Sequence, residues 1–424
     1  MGSEVSPTMN FAPYRSALAL PGVRSLLVVG LLARVPFTAA GVTLTLHVVL
    51  DLDRGYAAAG LVAAAMTVGV AVGAPLVGRL IDRHGLRPIV LGTTLAEAVF
   101  WSTAQAMPYP MLLVAAFFGG LLALPVFSVI RQSLAALVPT ERRRQAYALD
   151  SMSVEVSFMV GPALAVLLAT AVSARVAMLA VGAGIVGSGI ALFLLNPPVR
   201  QAGEASGSGV RVPRRQWLTG RLVGVLVVSA AGTLVLGGTD VAVVAVLREA
   251  DQVGWTGVVL AAWAAYSLVG GFAYGATHRT LSPYLLTALL CAFTVPIGLG
   301  GGQWWLLCLA LIPAGALCAP SMAATAEAVS RLAPAAVRGE AMGLHNSAIT
   351  VGIALGAPLA GAVIDASAPA WGFAATGVIG LLAVLVALPA ELRRRRRQSI
   401  VPVPAETQVP EDPTALTASG TTSH

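Results

Sequence analysis

Long apolar stretches alternate with short polar ones along nearly the whole chain. Apolar runs fall at about 25–49, 57–81, 88–107, 110–137, 146–171 and 175–195, and again at about 221–247, 256–277, 284–301, 305–332, 341–366 and 370–390. The runs are about twice as long as the roughly ten residues of a barrel strand and continuously apolar rather than alternating, so they predict helices. Most also reach the roughly 20 residues needed to cross a 30 Å hydrocarbon core. The pattern predicts an all-α integral membrane protein with twelve transmembrane helices.

Composition agrees. The 424 residues are 57% hydrophobic and only 11% charged, with mean hydropathy +0.83, against roughly 25% charged in soluble domains. The net charge of +7 raises the question of nucleic acid, but every basic residue is an arginine in a pattern of short loops, which is membrane topology. Arg15, Arg24, Arg79, Arg83, Arg87, Arg142, Arg143, Arg144, Arg200, Arg211, Arg214, Arg215, Arg279, Arg338 and Arg393 to Arg397 all fall on one side. The opposite loops hold Arg54, Arg175 and Arg248, balanced by Asp51, Asp53, Glu249 and Asp251. The positive-inside rule then puts both termini and the middle loop in the cytoplasm of a bacterial inner membrane. The first 22 residues lack a signal-peptide pattern, so the first span is expected to be retained.

This reading divides the chain into a cytoplasmic N-terminal segment (1–22), a six-helix bundle (23–195), a cytoplasmic linker (196–218), a second six-helix bundle (219–392) and a disordered tail (393–424). A repeat supports the division. An offset of 195 residues pairs Pro139 with Pro334, Arg143 with Arg338, Leu149 with Leu344 and Gly161 with Gly356.

Between the second and third runs stands Gly73-Ala-Pro75-Leu-Val-Gly78-Arg79-Leu-Ile-Asp82-Arg83-His84-Gly85-Leu-Arg87-Pro88. Gly78 permits close helix approach, Gly85 a tight turn with φ > 0, and Asp82 suits a local Arg or a helix N-terminus. The segment resembles the signature G-x-x-x-D-R-x-G-x-R of the major facilitator superfamily, at the place where that family carries it. The resemblance implies a major facilitator fold of two pseudo-symmetric six-helix bundles. It also implies a conformational latch at Gly78, Asp82, Arg83, Gly85 and Arg87 that holds the outward-facing state. The second-half copy, Gly271-x-x-x-Gly275-x-x-His278-Arg279, puts Arg279 where Asp82 would align. Gly161-Pro162 in the fifth run resembles in part the motif of the drug:proton antiporter branch, with Ala165 and Val166 in place of its closing glycines. Gly356 in the eleventh run belongs to a small-residue packing face.

Charges inside apolar runs are costly, at least about 2.5–3.5 kcal/mol each at mid-bilayer, and should face a cavity or a partner. Arg34, Glu97, Glu155 and Asp240 are the candidate substrate and proton site. Arg34 has two readings, a positive charge for an anionic substrate or proton-carrying carboxylate, and a structural pair with Glu97 or Glu155. Arg131, Asp150, Glu327 and His345 lie nearer helix ends and are candidate gating residues. Structural anchoring is an equal reading for them.

Cys291, Cys308 and Cys318 lie within runs and lack metal-ligand spacing, so no metal, cofactor or disulfide framework is expected. A phosphate loop of the G-x-x-x-x-G-K-[ST] type is excluded by the absence of lysine. The expected function is proton-coupled efflux of a small molecule by a monomer in the lipid bilayer. An importer or uniporter of a metabolite is the alternative on the same fold, and a non-transporting sensor or scaffold the alternative of another class.

Overall fold

The structure is a computed structural model and describes residues 12–200, 212–277, 281–300 and 303–398. Helices account for almost all of these residues. They are α1 (Ala12–Leu18), α2 (Val23–Leu50), α3 (Tyr56–His84), α4 (Leu86–Ala104), α5 (Tyr109–Leu121), α6 (Val126–Leu137), α7 (Arg143–Ala171) and α8 (Ala174–Leu195). After the linker come α9 (Arg214–Trp217), α10 (Gly220–Glu249), α11 (Thr256–Ala276), α12 (Pro283–Thr294), α13 (Trp304–Leu332), α14 (Arg338–Ala366) and α15 (Pro369–Gln398).

Ten segments among the described residues are long and apolar enough to cross a membrane, with α5 and α6 counted as one. Two of the twelve expected runs fall short for physical reasons. Helix α4 carries Arg87, Thr93, Thr94 and Glu97, which lower its hydropathy. The other run forms only α12 before tightening into a 3-10 helix over Val295–Gly300, around Pro296. Helix α15 continues past residue 392 to Gln398. Residues 399–424 of the expected tail lie outside the described residues, as does Arg279.

The repeat is visible in the helix boundaries. Short 3-10 turns at Thr140–Arg142 and Ala335–Val337 lead into α7 and α14, and the two helices begin and end 195 residues apart. Gly161 and Gly356 do the same work in each copy. A Cβ on Gly161 would meet the Val35 carbonyl and Thr38 of α2, and one on Gly356 the Leu234 carbonyl of α10. Both helices are therefore seated backbone to backbone on the first helix of their own set.

Helices α2–α8 pack chiefly with one another, as do α10–α15, and the two sets meet along α3 with α14 and along α7 with α11 and α13. Burial shows where they meet. A single apolar cluster containing Ile81, Val129 and Ala148 from the first set and Val329, Ala341 and Met342 from the second joins them near the arginine-rich face. At the opposite end the clusters are separate. Leu44, Trp101 and Met178 belong to one, and Val243, Leu307 and Phe373 to another. Among the described residues the buried cores of the two sets join at the arginine-rich face only. Leu61, Leu95, Leu167, Leu194 and Val386 are among the large apolar side chains left exposed, as expected of surfaces that meet lipid.

Candidate functional site

Asp82 stands on the last turn of α3, just before the chain reverses at Gly85, whose φ of 86° suits glycine. Its carboxylate is buried and reaches the start of α14. Oδ1 accepts from the Gly339 N–H at 2.9 Å and Oδ2 from the Glu340 N–H at 2.8 Å. Gln132 Nε2 of α6 adds a third donor at 3.1 Å. The first N–H groups of a helix have no intrahelical partner, and the neighbouring N-cap residue Val337 offers none here. An anion at that end also meets the positive pole of the helix. Asp82 therefore caps a helix belonging to the other set.

The backbones beneath this cap touch. A Cβ on Gly78 would strike the Gly339 carbonyl, and one on Gly343 the Ala74 carbonyl. Ser347 Oγ donates to the Ala71 carbonyl at 2.6 Å. Arg79 binds Glu340 through two donors, at 2.9 and 2.5 Å. Arg214 of α9 joins the same carboxylate at 2.9 Å, and Arg200 donates to the Asp82 carbonyl. Of the five expected latch residues, Gly78 and Asp82 form this contact, and Gly85 makes the turn that follows it. Arg83 and Arg87 are exposed, with Arg87 lying over the Phe193 ring at 5.5 Å. Arg79, Gln132, Arg200, Arg214 and Glu340 were not anticipated.

The second line of contact is built differently. Gly271 packs on Met152, and Gly275 leaves room for the Tyr14 hydroxyl. Tyr14 Oη donates to the Phe272 carbonyl at 2.5 Å and lies 3.2 Å from that of Gly271. Its ring meets Phe272 edge to face, with centroids 5.6 Å apart. Burial pushes the Tyr14 phenol up to about 12, so it remains a donor. Helix α1 thereby ties the first set to α11. Tyr14→Phe deletes one hydrogen bond worth about 1 kcal/mol, so the closed arginine-rich face should lose stability about fivefold. Crosslinking yield between cysteines placed on α1 and α11 reads that change, and an unaltered yield would mean the hydroxyl adds nothing.

Above the Asp82 cap lies a buried polar cluster. Arg34 Nη2 meets Asp150 Oδ1 at 2.5 Å, and Arg131 Nε meets Asp150 Oδ2 at 3.2 Å. Arg34 Nη1 donates to Ser153 Oγ at 2.8 Å. Arg131 Nη1 faces His345 Nδ1 at 3.2 Å, and His345 Nε2 faces Thr325 Oγ1 at 3.2 Å. The partner of Arg34 is Asp150, not Glu97 or Glu155. Helical phase explains the difference. Asp150, Ser153, Ser157 and Gly161 recur every three or four residues and face α2, where Thr38 Oγ1 also donates to the Ser157 carbonyl at 2.7 Å. Glu155 lies five residues from Asp150, about 140° around the helix, and faces α11 instead.

There Glu155 Oε1 accepts from Ser267 Oγ at 3.0 Å, while the Ala319 N–H donates to that same oxygen of Ser267 at 3.1 Å. Asp240 is exposed and lines a cleft of about 760 Å³ at the end opposite the arginine-rich face, with Val244, Arg248 and Ile364. Glu97 is buried away from the others, accepting from Trp101 Nε1 at 2.8 Å. Glu327 pairs with Arg331 on its own helix at 3.5 Å, within electrostatic reach of Arg143 and Arg144. The structure thus brings Arg34, Arg131, Asp150 and His345 together, leaves Glu97 and Glu327 apart from them, and sets Glu155 within electrostatic reach of Asp240. Among the described residues no group of three or more His, Cys, Asp or Glu could hold a metal ion.

A family model described as Major Facilitator Superfamily matches residues 26–301 and 279–416. No curated protein sequence matches the chain. Among solved structures, a bacterial homologue of the iron transporter ferroportin in an outward-facing state is similar at TM-score 0.69 and 16% identity, over 89% of this chain and 100% of that one. The human organic anion transporter MFSD10 is similar at TM-score 0.66 and 16% identity, over 87% and 99%. The proton:xylose symporter XylE is similar at 0.65 and 14%, over 87% and 95%. Identities this low carry the fold alone, whereas the family model extends over most of the chain. The chain belongs to the Major Facilitator Superfamily and is a transporter rather than an enzyme.

Proposed function

We propose that the protein is a proton-coupled exporter of a small molecule, acting as a monomer of twelve spans in a bacterial inner membrane. Two six-helix bundles, residues 23–195 and 219–392, rock about a central site, with the arginine-rich face and both termini in the cytoplasm. One observation carries this reading. The sets share a buried core and a helix-capping latch at one face and have separate cores at the other, the asymmetry expected of a transporter caught facing outward. Efflux draws on the partial antiporter motif, whose Gly161 seats α7 on α2. Proton coupling draws on Glu155, held between the sets by Ser267, and on Asp240 in the outer cleft.

Purified protein in proteoliposomes, under an imposed pH gradient and with an internal proton indicator, tests the reading against a broad solute panel. Solute leaving against the proton flow supports export. Accumulation along with protons would make it an importer, and no solute-dependent proton movement would reject coupled transport. Glu155→Gln or Asp240→Asn should uncouple solute from the pH gradient, with solute flux losing its pH dependence. Unchanged pH dependence in both variants would remove them as proton carriers.

A further inference from the structure

The cluster above the latch does not balance its charge. Arg34 and Arg131 are both buried, and Asp150, which each of them contacts, is the sole carboxylate in the cluster among the described residues. Guanidinium stays protonated in proteins, so the three groups together carry +1. His345 adds no charge. Arg131 Nη1 can only donate, so the Nδ1 it faces holds a lone pair and the ring is neutral, leaving Nε2–H for Thr325. The other buried carboxylates among the described residues are engaged elsewhere, Asp82 and Glu340 at the start of α14, Glu327 with Arg331 and Glu97 with Trp101, and the half-buried Glu155 meets Ser267.

A structural ion pair would need one arginine and one aspartate. A second buried guanidinium without its own counter-charge costs several kcal/mol. Its donors are also not used up, since Arg34 Nε is buried with no acceptor. Asp150 and His345 each lie seven residues beyond the start of α7 and α14, about 10 Å inside the arginine-rich face and directly over the latch. Arg34 Cζ lies 5.2 Å from the centre of the Phe127 ring. Arg34 is itself fully buried, and the side chains that flank its guanidinium, Phe127 and Ser153, are only half-buried.

We infer that this cluster is the anion-binding part of the transport site and that the carried molecule presents one negative charge, as an organic carboxylate. A carboxylate offers two coplanar oxygens that match the guanidinium fork, and a single charge neutralises the cluster. The inference rests on the transport reading above, to which it adds the substrate class. Asp150 then competes with the carried carboxylate for Arg34 and Arg131.

Benzoate, its neutral isostere benzamide, and chloride are compared as probes by thermal shift of the full-length purified protein at fixed ionic strength. Benzoate should raise Tm, and benzamide and chloride should not. Arg34→Gln leaves Arg131 balanced by Asp150, so the variant should fold normally, and its benzoate affinity should fall at least tenfold. Asp150→Asn removes the competitor and should tighten benzoate binding at least tenfold. Equal responses to benzoate and benzamide, no response to benzoate in either wild type or Asp150→Asn, or unchanged binding in Arg34→Gln would each overturn the inference. A chloride response matching that of benzoate would overturn the carboxylate assignment in favour of a free inorganic anion. The two readings fail separately. Proton-linked flux of only neutral or cationic solutes sinks the anion site and spares transport. Arg34-dependent benzoate binding without any flux sinks transport and spares the site.

Discussion

Asp82→Asn lowers transport at least tenfold while the amount of protein in the membrane stays at the wild-type level. The carboxylate accepts from two backbone N–H groups of α14 and from Gln132. Asparagine fits the space but supplies one acceptor oxygen and turns an amide toward donors. Hydrogen bonds to a charged group contribute roughly 1.5–3 kcal/mol, and the charge at a partly buried helix N-terminus up to ~2. A loss of about 3 kcal/mol shifts the equilibrium away from the closed arginine-rich face about a hundredfold. Insertion depends on the hydropathy of the spans, which this change leaves alone. Solute-driven proton movement in proteoliposomes, normalised to inserted protein, measures the effect. Wild-type transport in this variant would sink the latch.

Gly78→Leu abolishes transport and fixes the arginine-rich face open. The effect exceeds that of Asp82→Asn because the obstacle is steric. A side chain at Gly78 meets the Gly339 carbonyl, which is backbone at the start of α14 and cannot rotate aside. Even modest overpacking costs about 1–3 kcal/mol, and leucine forces the two helices apart. A cysteine at Ser347, on the sealed contact with Ala71, should then react with a reagent applied from the arginine-rich side. Gly92→Leu is the control, because a Cβ there meets nothing within 4 Å. Closed-face protection of Ser347→Cys in the Gly78→Leu background would show that the contact accommodates leucine without opening, and would overturn the prediction.

The twelve apolar runs correspond to helical segments, because burial in lipid leaves the same mark on hydropathy wherever it occurs. Interruptions inside a run leave none. The run at 110–137 divides into α5 and α6 around Leu122–Pro125, and these residues are as apolar as their neighbours. The contact between Asp82 and α14 was legible on one side only. The family resemblance singled out Gly78, Asp82, Arg83, Gly85 and Arg87, while Gly339 and Glu340 lie more than 250 residues later, and no periodicity encodes a contact at that distance. The pairing of Arg34 was within reach of helical phase. Asp150, Ser153, Ser157 and Gly161 form one stripe, and Glu155 lies off it. Tyr14 carried no signal at all, since a lone tyrosine before the first span looks like any other polar segment.

The distance in sequence between the partners also sets an order of events during synthesis. Tyr14 and Asp82 leave the ribosome long before Phe272 and Gly339 exist. At about 5–20 residues per second, the 257 residues between Asp82 and Gly339 take about 10–50 seconds to make. Throughout that interval Asp82 must do without its α14 donors, and Tyr14 without the Phe272 carbonyl until α11 is made. The arginine-rich face therefore cannot seal while the chain is growing. It closes only after the eleventh apolar run has been placed, so the last helices to enter the membrane complete the contacts that the first ones began.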